Sequence, residues 1–83
     1  MNWTRARIVV GQNMHFETER ISGEWLQVVS VHRVPNVSVG DMVRHHSTRG
    51  FQVYHSTTHP TPKAVFPSRS AELLGGIYEE EGI

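Results

Sequence analysis

The sequence predicts a mainly β domain, a small partly open barrel or sandwich of the SH3-like or OB-like kind, with five to six short antiparallel strands and a short C-terminal helix. Three observations carry that expectation. From Arg5 to Phe66 apolar residues recur with the two-residue period of half-buried strands. Glycine, proline, asparagine and aspartate interrupt these runs at the short intervals typical of turns between strands. With 83 residues and no cysteine, the chain has room for one thin core and no disulfide to reinforce it.

In the first run Ala6, Ile8 and Val10 alternate with Arg7 and Val9, and Gly11 ends the strand. Met14, Phe16 and Thr18 alternate with His15, Glu17 and Glu19 in the second, which is expected to pair with the first. Ile21, Ser22 and Gly23 read as the following turn. Glu24 to Val34 is the densest β-forming stretch. Trp25, Val29 and Val31 share one parity and Leu26, Val28 and Val34 the other, so strict alternation predicts a strand that is apolar on both faces, as in mid-sheet or in a strand that crosses from one sheet of a barrel to the other.

Pro35 and Asn36 close that strand, since proline cannot donate to a ladder. In the segment Val37 to Val43, Gly40 is expected to take a positive φ and Asp41 to bond the turn backbone. Asp41 to His46 and Phe51 to Thr58 then form a hairpin across Ser47, Thr48, Arg49 and Gly50; a four-residue loop sets His46 opposite Phe51 and His45 opposite Gln52. His59 to Pro62 breaks the ladder, and Lys63 to Phe66 adds a short edge strand. Ser68 can cap a helix from Arg69 to Leu74 that Gly75 and Gly76 stop. The expected organisation is one domain over residues 1–78 and an acidic tail over 79–83.

Composition narrows the function classes. The apolar fraction is 37%, below the roughly 45–50% usual for globular chains. A homo-oligomer or a held protein partner is therefore expected to supply further burial. Lack of cysteine excludes thiolate zinc sites, iron–sulfur clusters and cysteine nucleophiles. The N-terminal apolar run, Ile8 to Val10, is too short for a signal peptide, and no run is long enough to span a bilayer, so a cytoplasmic location is expected.

Net formal charge is zero but unevenly placed: eight basic and four acidic residues precede Ala71, and the other four acids follow it. The tail residues Tyr78, Glu79, Glu80 and Glu81 are accordingly candidates for contact with a basic partner surface, beside a plain solubility role.

Five of the six histidines lie between Gly23 and Pro60. Strand parity spreads them over both faces, so neither a metal site nor a cofactor is expected. Asp41, His45 and Ser47 lack a glycine-rich nucleophile elbow, and no convergent acid–base pair is visible. The functional expectation is a non-enzymatic protein-binding module, a small accessory subunit or an inhibitor that occludes a larger partner. The alternative is RNA or single-stranded DNA binding through Arg33, Arg44, Arg49 and Tyr54, against which the neutral charge counts.

Overall fold

The computed structural model describes residues 4–56 and 61–72, so the tail candidates Tyr78, Glu79, Glu80 and Glu81, like His59 and Leu74, lie outside the described residues. Six antiparallel strands follow one another in chain order: β1 (Arg5–Gly11), β2 (Met14–Ser22), β3 (Trp25–His32), β4 (Met42–His46), β5 (Gly50–Tyr54) and β6 (Ala64–Phe66). They form one sheet curled into a half-barrel. A single helical turn, α1 (Arg69–Glu72), packs against β1. Among the described residues no helix is long and apolar enough to cross a membrane.

The curl is measurable. In a flat sheet β2 and β6 would stand four strand spacings apart, roughly 19 Å. Instead Phe16 of β2 and Phe66 of β6 meet with ring centroids 5.4 Å apart. Ala6, Ile8, Phe16, Leu26, Val28, Val43, Phe51 and Val53 line the enclosed face, with Val34 and Val37 added by the loop between β3 and β4. Thr18 shares this interior and donates its hydroxyl to the Ala6 carbonyl at 3.1 Å, which satisfies its one buried donor.

Strict alternation fails in β3, and a β-bulge is the reason. Thr18 pairs with Val28 and Glu17 with Ser30, so Val29 is an extra residue with no partner. The phase reverses there. Leu26 and Val28 point inward; beyond the bulge Ser30 points outward, bonding Glu17, and Val31 packs on the core. Val29 is 40% exposed. The apolar residues of both parities thus serve mainly one face, and β3 is not the doubly buried strand expected from the sequence.

Two further boundaries differ from expectation. Ile21 and Ser22 belong to β2, because a second bulge between Arg20 and Ser22 carries the ladder on to Trp25. In the β4–β5 hairpin the register is one residue tighter: His46 pairs with Gly50 and His45 with Phe51. Gly50 is the cause, since its φ of 84° lets it start the strand rather than end the loop. The turn Ser47–Thr48–Arg49 is held by His46, whose Nδ1 accepts the amides of Thr48 and Arg49 at 3.2 Å each.

The β3–β4 loop closes one end of the half-barrel. Gly40 takes a φ of 96°, and Asp41 accepts the Ser38 amide at 2.7 Å, as the turn chemistry requires. The same carboxylate meets Lys63 Nζ at 2.6 Å, and Asn36 donates to the Lys63 carbonyl at 2.7 Å. Loop and β6 are thereby fastened together.

Two outcomes test this fold. Val29→Asp should change stability by no more than about 0.5 kcal/mol, whereas Val31→Asp should cost about 2 kcal/mol or more, because only the second places a charge against the core. Equal costs in urea unfolding would contradict the bulge. A Cβ on Gly50 would stand 2.2 Å from the Phe66 carbonyl oxygen. Gly50→Ala should therefore destabilise by about 2 kcal/mol or more, combining that clash with the left-handed backbone penalty.

Candidate functional site

The outward face of the sheet carries a row of residues brought side by side by register. Trp25 of β3 pairs with Arg44 of β4, Arg44 with Gln52 of β5, and Gln52 with Val65 of β6. Tyr54 stands next to this row, one outward position along β5.

Arg44 is the centre of the group. Its guanidinium carbon lies 5.3 Å from the Trp25 ring centroid and 5.6 Å from that of Tyr54, within the range of cation–π attraction to both. Arg44 Nη2 donates to the Tyr54 hydroxyl at 3.1 Å. The two rings meet edge to face, 5.6 Å apart at 74°. Charge compensation is slight: Glu24 Oε2 is 3.6 Å from Arg44 Nη1, and the Glu24 side chain is 62% exposed, a pair of the kind that contributes little.

Beneath this cluster two polar groups are buried. Tyr54 is 4% exposed and Gln52 is 6% exposed. Among the described residues Gln52 Oε1 meets no hydrogen-bond partner. A buried acceptor left unsatisfied costs about 1–3 kcal/mol.

The other sequence candidates lie elsewhere. Arg33 is exposed at the far end of β3 with a φ of 61°, and Arg49 is exposed at the tip of the β4–β5 hairpin. Neither shares the Arg44 row. Trp25 is, like Tyr54, of the residue type that marks interface anchors in the sequence; Glu24 and Gln52 are the members that sequence reasoning missed. Trp25 and Glu24 meet Arg44 through β3–β4 pairing across a loop of nine residues, 33–41, for which no hairpin rule gives a register.

The histidines divide into separate environments. His45 is half-buried, its ring 4.7 Å from Phe51 and its Nε2 2.8 Å from the Ser68 hydroxyl. Burial and the neighbouring charge of His46 hold its pKa below the ordinary histidine value. Ser68 thus contacts His45 across the half-barrel as well as preceding α1. His15 and His32, which sequence parity treats as unrelated, pair across β2 and β3 and stack with centroids 5.1 Å apart. Among the described residues no group of three or more His, Asp or Glu side chains gathers in one place. Asp41 is engaged by Ser38 and Lys63.

Beside the stacked histidines, Arg7 Nε donates to Glu17 Oε2 at 2.9 Å and Ser30 donates to Glu17 Oε1 at 3.2 Å. Burial pushes the Glu17 carboxyl up, but the bonds from Arg7 and Ser30 and the positive charges of Arg7 and His15 outweigh it, and the pKa falls below its ordinary value.

No protein-family model matches the chain, and neither a curated protein nor a solved structure is significantly similar to it.

A carboxyl with a lowered folded-state pKa contributes stability at pH above its unfolded value, about 4.3, and that contribution is lost as pH falls through the folded value. Glu17→Gln should therefore flatten the acid side of the stability–pH curve and leave its neutral-to-alkaline shape unchanged. The effect is small, since the Glu17 side chain is 40% exposed. Urea midpoints between about pH 3 and pH 7 measure it, and an unchanged acid slope would contradict the assignment.

Proposed function

We propose that the chain is a non-enzymatic protein-binding module, a small accessory subunit or an inhibitor that occludes a larger protein, and that it works in the cytoplasm. The observation that supports this reading best is Arg44 held between Trp25 and Tyr54 on the outward face. Arginine and tryptophan are among the residue types enriched as anchors of protein interfaces, and the buried Tyr54 holds Arg44 in place. Fixing them before contact lowers the entropy lost on binding.

The weakly compensated Arg44 charge, met by the exposed Glu24, fits an acidic or carbonyl-rich contact, and a planar guanidinium can grip a carboxylate through two parallel bonds. Val65, 51% exposed at the edge of the same row, adds apolar surface. Arg33 and Arg49 extend the basic character toward the ends of the sheet, and Tyr78 with Glu79 to Glu81 forms a second contact for a basic region of the partner or of another copy of the chain. Self-association would also supplement the thin core.

Nucleic-acid binding has the weaker support. Base stacking needs an open aromatic face, whereas Tyr54 is 4% exposed. Arg7 and Arg44, moreover, each face a glutamate.

Affinity capture from the native host, comparing the unaltered chain with Arg44→Ala, tests the proposal. A protein enriched by the unaltered chain should be retained at least about tenfold less by the variant, the effect of removing a hot-spot side chain. Equal recovery of every protein by a variant of unchanged unfolding midpoint would reject this surface. Retention of RNA or single-stranded DNA that weakens steeply with salt would favour the alternative instead.

A further inference from the structure

We infer that His15 and His32 form a two-histidine chelate for a borderline divalent ion, Zn2+ or, more tightly, Cu2+. The pair lies on the outward face at the end of the β2–β3 ladder, where the two residues are direct cross-strand partners. Directly opposed residues of antiparallel strands have Cβ atoms about 4.5–5.5 Å apart, a span that a single ion can bridge.

The ring separation fits. An ion about 2.0–2.1 Å from one nitrogen of each imidazole, at a tetrahedral angle, sets the two ring centroids roughly 5 Å apart. The observed separation is 5.1 Å. The rings are now stacked at 24°, so their lone pairs run side by side and do not yet converge. Turning the rings about their Cβ–Cγ bonds brings the nitrogens to a common point. That torsion is broad for histidine, and His32 is exposed.

Asn13 supplies the accompanying orientation. Its Oδ1 is 3.1 Å from His32 Nε2. An amide oxygen only accepts, so in the neutral ring Nε2 carries the proton and Nδ1 the lone pair that binds the ion. Ligating histidines characteristically donate their second nitrogen to such an oxygen. Asn13 is itself fixed in the turn before β2 by a φ of 60°. With two protein ligands, water completes the coordination, and imidazole nitrogen suits Cu2+ above Zn2+ in the usual order of affinities. The bound ion would clip β2 to β3 on the far side of the Val29 bulge from the Arg44 group.

Calorimetric titration of the full chain with ZnCl2 near pH 7.5, where imidazole is neutral, tests the inference. The unaltered chain should take up one equivalent. His15→Gln and His32→Gln should each weaken binding at least about tenfold, Asn13→Gly about tenfold or less, and His55→Gln should have no effect. Unfolding midpoints of the variants separate a lost ligand from a lost fold. Substoichiometric Cu2+ should broaden the NMR signals of the His15 and His32 rings before those of other histidines. Absence of stoichiometric uptake, binding that survives both ligand substitutions, or first broadening at another histidine would each overturn it.

Discussion

A single antiparallel sheet has one face to bury, and among the described residues the short turn α1 is the only regular element outside the sheet to cover it. Nearly everything else in the structure follows from that constraint. The sheet curls until its own far strand covers its near one, and the contact of Phe16 with Phe66 marks how far the curl goes. Bulges at Val29 and between Arg20 and Ser22 bend the long strands where a regular ladder would resist. At Gly50 the β6 backbone approaches so closely that no side chain fits between. The open end is filled by Val34 and Val37, and the loop bearing them is kept in place by the Asp41–Lys63 pair. A buried ion pair contributes little net stability but is costly to break from one side. Its role here is positional.

The same constraint shapes the outward surface. Every inward residue of a strand implies an outward neighbour, and on β3, β4 and β5 those neighbours are Trp25, Met42, Arg44, Gln52 and Tyr54 rather than the small charged residues of a wholly solvated face. Tyr54 and Gln52 are buried although they point away from the core. Large aromatic and guanidinium groups layered over a sheet make a second, thinner packing region that is ordered before any partner arrives. The Arg44 charge, met among the described residues by an exposed Glu24, gives that region a chemical preference. On the other half of the sheet, Arg7, Glu17 and Ser30 satisfy one another, leaving the histidine pair as its distinct feature.

Strand identity was legible from the sequence because period two survives in Ala6–Ile8, Phe16–Thr18, Leu26–Val28 and Phe51–Val53, and the punctuation by Gly11, Gly23, Pro35 and Gly40 separates them. Arg44, Tyr54 and Trp25 could be named as surface candidates from residue type alone. Their contacts could not. The contact of Trp25 with Arg44 depends on the register of two strands joined by an irregular loop, and that of His15 with His32 depends on a bulge between the residues that pair. A one-residue difference reverses which side chains face which way, as the actual pairing of His45 with Phe51 illustrates.

The amino-acid sequence by itself determined that this chain is mainly β, that Gly40 and Asp41 build one of its turns, and that cysteine chemistry is excluded. Tertiary structure alone decided which residues become neighbours: the phase change at Val29, the joining of Asp41 to Lys63, the stacking of Arg44 on Trp25 and Tyr54, and the meeting of His15 with His32. The physical reason is range. Local periodicity and turn chemistry act over a few residues, whereas register and curvature are set by what the whole sheet must cover.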